Sequence, residues 1–445
     1  MKETDKNKAA YPAPRYAWSM VGLLTLAYIF SMLDRYILGY LIGPIKADLG
    51  FNDFEVGLLT GPAFTILYAT TAIPIGLLVD RKRRTWIVAT GIAIWSAFTV
   101  MTGFARTFVM MFISRMMVGV GEAVLSPSAF SIIGDSFPPE RRAKPIAFYS
   151  SALVVASGLT GLIIAVLLGW AEKMGEINLP LVGVIEPWQL IFLSVGAPGL
   201  VVAVIFLLVK EPPRTESPQK TDIKLDAAFV FVGSKLATFL CFVSLFVTMV
   251  SIAYAHFNWL PEMFERSFGT ENWSRRHYAA RNGTATMIIG LSTYLISGWL
   301  SDHWSARGQK DAPFLLSIIG FLIMVPSTIM APLMPTGWSA FALLCVSTVG
   351  IGMVSCTGVT ALLQIVPGHV RGTVVALYYM TISFVGGFIS PPLVGWLSAH
   401  VFGEANLNLA MAVQPAIFGI PTLLLLPLTL KLYRQELATA EKDHV

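Results

Sequence analysis

Four charged side chains stand inside stretches that are otherwise apolar: Asp34, Arg35, Arg115 and Glu122. A charge placed at membrane depth costs a few kcal/mol or more, so it persists where it is paired or meets water. Asp34 and Arg35 are neighbours and project about 100° apart around a helix. Arg115 and Glu122 are spaced i, i+7, two turns apart on one helix face. The chemistry open to such a set is proton exchange. Desolvation favours the neutral carboxyl, and a nearby guanidinium favours the ionised one. If Arg115 is close in one conformation and distant in another, Asp34 or Glu122 takes up or releases a proton as the protein alternates. The bland alternative is a static ion pair that fixes helix packing.

Arg35 carries a second option. Guanidinium suits phosphate and carboxylate alike, so Arg35 can anchor the head group of an anionic or zwitterionic substrate, with Asp34, Glu122 and Tyr378 as further substrate contacts. It can equally pair permanently with Glu122 or snorkel outward.

The elements that must position these groups follow from composition. Hydrophobic residues make up 55% of the 445 and charged residues 13%, too little polar surface to face water all round. The apolar residues fall in blocks of about 20, long enough to cross a hydrocarbon core as a helix. The blocks predict an all-α integral membrane protein with twelve spans, at 17–41, 54–79, 86–105, 108–134, 145–170, 188–210, 236–262, 279–301, 313–333, 337–364, 372–397 and 409–433. The 211–226 stretch is the only long polar segment between them. It divides an N-terminal six-helix bundle, 1–210, from a C-terminal one, 227–445, with a short tail.

Of the 31 Lys and Arg residues, Lys46, Arg106, Lys173, Arg266, Arg275, Arg276 and Arg281 fall on one set of loops. Arg35 and Arg115 are inside spans, and the other 22 occupy the opposite loops and the termini. That asymmetry puts both termini in the cytoplasm, and the net charge of +5 is topogenic, with no nucleic acid implied. The four arginines around 263–281 break the pattern; Glu262, Glu265 and Glu271 are their available partners. Asp34 then lies about 10 Å below the outer surface at 1.5 Å per residue, level with Arg115, and Glu122 lies deeper.

The halves echo each other. Gly76-Leu-Leu-Val-Asp80 follows span 2 and Gly298-Trp-Leu-Ser-Asp302 follows span 8; Arg142 and Arg371 sit in similar loops after spans 4 and 10. A duplicated six-helix unit suits a transporter whose halves rock about a central site. Small residues in spans 5 and 11, Ser157, Gly158, Gly161, Gly386, Gly387 and Ser390, suit close helix contact and bending.

The Gly76–Arg84 loop (GLLVDRKRR) resembles the signature loop of the major facilitator superfamily, with Arg83 where that family often has Gly. Arg115-Met-Met-Val-Gly119-Val-Gly121 resembles its span-4 motif. Leu33-Asp34-Arg35-Tyr36 and Gly121-Glu122-Ala123 are similar to Spinster-type lipid transporters, of which the chain reads as a prokaryotic member. The resemblance implies a prokaryotic inner-membrane location and a cytoplasmic gate at Gly76, Asp80, Arg81 and Arg84. Asp80 can sit against a helix N-terminus, and Arg81 and Arg84 can bridge to acids such as Asp135. In the second half Asp302 remains, with only Arg307 and Lys310 behind it.

The expected activity is proton-coupled secondary transport by alternating access, moving an amphiphilic lipid-like or anionic small molecule. A proton-linked organic anion or sugar acid symporter and a multidrug exporter are the alternatives within transport, and a transporter-fold sensor the one outside it. The expected partners are substrate, protons and membrane lipids, and the chain is expected to act as a monomer. The C-terminal half is chemically quiet, its deep polar residues being His256, Asn258, Asn282, Thr286, Gln364, Tyr378 and Tyr379. No HExxH or GxSxG occurs, Cys241, Cys345 and Cys356 have no metal-ligand spacing, and neither an enzyme, a cofactor nor a metal is expected.

Overall fold

The structure, a computed structural model, describes residues 11–138, 141–179, 183–214, 225–269, 272–367 and 370–442. Among the described residues, the secondary structure is helical apart from one hairpin, in which Ile177–Leu179 pairs antiparallel with Gly183–Ile185. That hairpin departs from the purely α-helical expectation. It is a short connection between Ala143–Met174 and Pro187–Leu208.

Among the described residues, ten helices are long and apolar enough to cross a membrane. The second and eighth spans are crossed by interrupted helices. Asp53–Thr60 stops at Gly61 (φ −110°, ψ −90°) before Pro62–Arg81 resumes. In the eighth, Arg275–Ala285 passes through a wider π-helical turn, Thr286–Gly290, into Leu291–Ala306. Proline at 62 explains the first break, because it offers no N–H to continue the ladder. The eleventh span, Arg371–Ser383 followed by Ser390–Trp396, also contains two π-helical stretches, Phe384–Ile389 and Leu397–Phe402.

The chain forms two compact units, residues 1–50 with 63–221, and residues 51–62 with 222–445. In the first, Val88, Ile92, Trp95, Val118, Ile132 and Phe206 form the buried centre. Its third and fourth spans, Arg84–Gly103 and Phe108–Glu122, touch backbone to backbone at Gly91 and Gly121. A Cβ on Gly91 would lie 2.8 Å from the Gly121 carbonyl, and one on Gly121 2.6 Å from the Gly91 carbonyl. Only glycine allows that approach.

The second unit is centred on Phe242, Phe246, Phe314, Tyr378 and Tyr433. Its ninth and tenth spans, Ala312–Met330 and Gly337–Ile365, repeat the contact at Gly320 and Gly350, where added Cβ atoms would meet the opposite carbonyls at 2.8 and 2.5 Å. Each of these glycines lies 229 positions after its counterpart, so the duplication seen in the loops extends into the packing.

Candidate functional site

The first unit gathers the four charges singled out above. Asp34 and Arg35 lie on Pro14–Tyr40, six and five residues before its end, and Arg115 lies midway along Phe108–Glu122. Thr107 starts the latter helix by accepting the Met110 N–H through its hydroxyl. The helix stops at Glu122, two turn residues follow, and Leu125–Ser136 continues. Glu122 therefore stands at a break in mid-span. Gly119 and Gly121 flank it, and both let neighbouring backbone close in: a Cβ on Gly119 would sit 2.5 Å from the Phe64 carbonyl. These glycines set the depth and rotation of the helix that carries Arg115 and Glu122.

Arg35 donates to Glu122 Oε2 at 2.7 Å, and the Ser31 hydroxyl donates to the same oxygen at 2.8 Å. The guanidinium of Arg35 also lies 4.6 Å from the Phe64 ring centre and 5.0 Å from that of Tyr68, two stacked rings. Arg115 donates to the Asp34 backbone carbonyl at 3.2 Å, and its guanidinium lies 6.0 Å from the centre of the same Phe64 ring. Thr99 stands beside the Asp34 carboxyl. Among the described residues, Asp34 Oδ1, Glu122 Oε1 and Arg115 Nε are buried without a hydrogen-bond partner.

The arrangement brings the four predicted residues together with one change of partners. Arg115 meets the backbone of Asp34, and the short ion pair joins Arg35 to Glu122. Ser31, Phe64, Tyr68 and Thr99 were not singled out from sequence. A hydroxyl or ring in a span carries no signal until the facing helix is known, although Ser31 is one turn before Arg35. Tyr378 is a core residue of the second unit, 2% exposed, with its ring 5.5 Å from Phe246.

At the start of Arg84–Gly103, Arg84 is fully buried. It binds Asp135, Ser131 Oγ at 3.1 Å, Glu211 Oε1 at 2.8 Å and the Pro212 carbonyl at 3.0 Å. Arg214 donates to the Val79 and Lys82 carbonyls, each at 2.8 Å, capping the C-terminus of Pro62–Arg81. Glu211 and Arg214 come from the polar stretch read as a linker. Arg81 is exposed and is not brought to Asp135. The side chain of Asp80 lies outside the described residues, and Gly76 has open space around its Cα.

A second charge cluster belongs to the other unit. Asp53 is fully buried and accepts two bonds from Arg266, at 2.8 and 2.9 Å, and one from Ser398 at 2.6 Å. Arg266 Nε donates to Glu262 Oε1 at 2.8 Å, and Arg275 Nε to Glu262 Oε2 at 2.9 Å. Of the four arginines that break the positive-inside pattern, Arg266 and Arg275 thus pair with Glu262, and Arg275 also with Glu265, whereas Arg281 lies over the Trp273 and Trp338 rings and donates to the Asn272 carbonyl. Glu271 lies outside the described residues.

A model of the Major Facilitator Superfamily matches residues 24–391. The chain is 26% identical over 424 residues to an MFS-type efflux pump of Mycolicibacterium smegmatis, covering 92% of this chain and 93% of that one. It is 26% identical over 405 residues to Protein spinster of Drosophila melanogaster, covering 88% of this chain and 64% of the fly protein. The crystal structure of a bacterial homolog to the human lysosomal transporter Spinster, inward-facing and unoccupied, superposes with a TM-score of 0.78 at 25% identity, covering 97% and 99% of the two chains. The Spinster likeness expected from Leu33–Tyr36 and Gly121–Ala123 is met both in sequence and in structure.

Proposed function

The chain belongs to the Major Facilitator Superfamily of membrane transporters, and from that premise we propose that it is a proton-coupled secondary transporter working by alternating access. One observation carries the reading: Glu122 is buried at a mid-span break with one oxygen held by Arg35 and Ser31 and the other without a partner. A carboxylate so placed gains from a proton whenever Arg35 is drawn away. Asp34, buried beside Arg115, is the second proton site. Arg115 tunes both by its charge.

Arg35 supplies the link to cargo. An anionic head group competes with Glu122 for the same guanidinium, so substrate arrival and proton uptake at Glu122 favour one another. This supports a substrate with a phosphate or carboxylate head. The Spinster likeness supports an amphiphilic, lipid-like body, in keeping with the many apolar residues of the second half. Arg84, with Asp135 and Glu211, closes the inner end of the first unit, and Gly76, Asp80 and Arg81 complete the gate. We place the protein in a prokaryotic inner membrane on its Spinster-type resemblance, with both termini cytoplasmic on the distribution of Lys and Arg.

The test is flux in proteoliposomes under an imposed pH gradient, with lysolipids, hexuronates and cationic dyes as cargo. Lysolipid flux is expected to follow the gradient in the wild type and to lose that dependence in Asp34→Asn and Glu122→Gln. Full gradient dependence in both variants would remove proton coupling. Movement of hexuronates or dyes without lysolipids would remove the amphiphile and leave coupling intact.

A further inference from the structure

Both units tie the start of their third helix to the end of their last one with an ion pair, but with the charges reversed. In the first unit the cation, Arg84, begins the third span, and its acid, Glu211, follows the sixth. In the second the acid, Asp311, precedes the ninth span, and the cation, Arg434, stands near the end of Leu407–Lys442, with Arg434 Nε 2.6 Å from Asp311 Oδ2.

The reversal leaves the two cations in different situations. Arg84 is buried, and all three of its nitrogens are engaged by protein groups. Arg434 has a half-exposed side chain and is engaged through Nε, and among the described residues neither terminal nitrogen has a hydrogen-bond partner. They border an open hollow of about 510 Å³ shared with Arg307, Lys310 and Leu437. A second hollow of about 490 Å³ adjoins it across Arg434 and adds Lys431. Among the described residues, the side chains of Arg307 and Lys431 make no ion pair. Among the described residues, Arg307, Lys310 and Arg434 with Asp311 thus line the first hollow, and Lys431 joins Arg434 at the second.

The surface leading to it is apolar. On the same terminal helix Leu424 is 78% exposed and Leu428 45% exposed, and Leu428 is three residues, about one turn, before Lys431. An apolar stripe that ends in a basic hollow matches an acyl chain that ends in a phosphate.

We infer that the basic hollow formed by Arg307, Lys310, Lys431 and Arg434 is a binding site for the phosphodiester head group of an anionic phospholipid in the adjoining leaflet. On the distribution of Lys and Arg that leaflet is the cytoplasmic one. Asp311 acts as a positioning residue: it holds Nε so that the two terminal nitrogens present a fork to phosphate oxygens. The site is distinct from Arg35, which lies in the other unit, and does not depend on the transported cargo.

Thermal unfolding of the full-length protein in detergent, titrated with phosphatidylglycerol, cardiolipin or phosphatidylcholine, tests it. Native mass spectrometry counts the lipids retained. Because Arg307 and Lys431 have no ion pair to lose, the Arg307→Gln/Lys431→Gln variant keeps the fold contacts described above, and its midpoint without lipid checks this. Anionic lipids are expected to raise the wild-type midpoint and phosphatidylcholine to leave it unchanged. The concentration for half the effect should rise about thirtyfold in the double variant, since each basic residue near an anionic surface contributes about fivefold. Arg434→Lys, which keeps the charge and loses the fork, should retain part of the response. Equal responses in wild type and double variant would overturn the inference, as would the absence of any anionic-lipid effect. Stabilisation by inorganic phosphate equal to that by lipid would overturn the lipid assignment in favour of a free-anion site.

Discussion

The two buried charge clusters use the same ion types and differ in how fully their hydrogen-bonding capacity is met. Around Asp53 both carboxylate oxygens accept from Arg266, one also from Ser398, and both oxygens of Glu262 accept from arginine. Around Glu122 one oxygen is doubly bonded and the other has no partner, and Asp34 Oδ1 and Arg115 Nε are likewise alone. A complete network in a low dielectric locks one geometry; an incomplete one leaves buried groups that each cost about 1–3 kcal/mol. The incomplete cluster is therefore the one with something to gain from a proton, a ligand or a second conformation. The complete cluster holds residues 51–62 in place.

The sharpest way to break that contrast is to neutralise one carboxyl in each. Asp53→Asn keeps the shape and leaves Arg266 with a weakened partner in a buried site. Breaking a buried pair costs about 3–5 kcal/mol, to be read as a large fall in thermal midpoint in detergent. Glu122→Gln imitates the protonated state of the proposed cycle, keeps the Ser31 hydrogen bond, and should cost about 1 kcal/mol or less. Equal losses at the two sites would mean that the Glu122 cluster is a structural pair like the other.

A smaller effect is expected from the backbone that positions Glu122. Gly121→Ala introduces a methyl 2.6 Å from the Gly91 carbonyl, and such overpacking typically costs about 1–3 kcal/mol. The third and fourth spans must part, and Glu122 moves with them. The expected result is a loss of gradient-driven flux beyond what the fall in stability explains, with the Asp53 cluster unaffected. Hydrogen exchange can follow the two regions separately. Loosening around Asp53 with the 84–122 region unchanged would contradict the assignment.

Much of this organisation is legible in sequence because it rests on one-dimensional facts. Span lengths, loop charges, the Gly76–Arg84 signature and the presence of Asp34, Arg35, Arg115 and Glu122 in apolar surroundings all survive folding unchanged. Partner choice does not, because it depends on the rotation of each helix about its axis. A depth argument puts Arg115 level with Asp34, but only packing at Gly91, Gly119 and Gly121 decides that Arg115 meets a carbonyl while Arg35 takes the carboxylate. Asp53 and Glu211 escape notice for another reason. Each sits at a span end, where an acid is ordinary, and only the burial of its arginine partner marks it. Tyr378, singled out for its polar tip on a span residue, has its ring in the second unit's core.

The aromatic floor of the intramembrane cluster gives the finest test of the comparison. No ring lies beneath Arg266 among the described contacts, whose charge is met by carboxylates, whereas Arg35 and Arg115 both approach the face of Phe64. A ring face attracts a cation without fixing it in one hydrogen-bonding geometry, which suits a guanidinium that leaves Glu122 and returns in the proposed cycle. Phe64→Leu keeps the apolar volume and removes the quadrupole, at an expected cost of about 0.5–2 kcal/mol. A double-mutant cycle with Arg35→Lys isolates the ring term, because lysine keeps the charge while losing the planar stack. The coupling energy should be favourable and of that size. An additive cycle would mean that the ring only fills space, leaving Glu122 alone to hold Arg35.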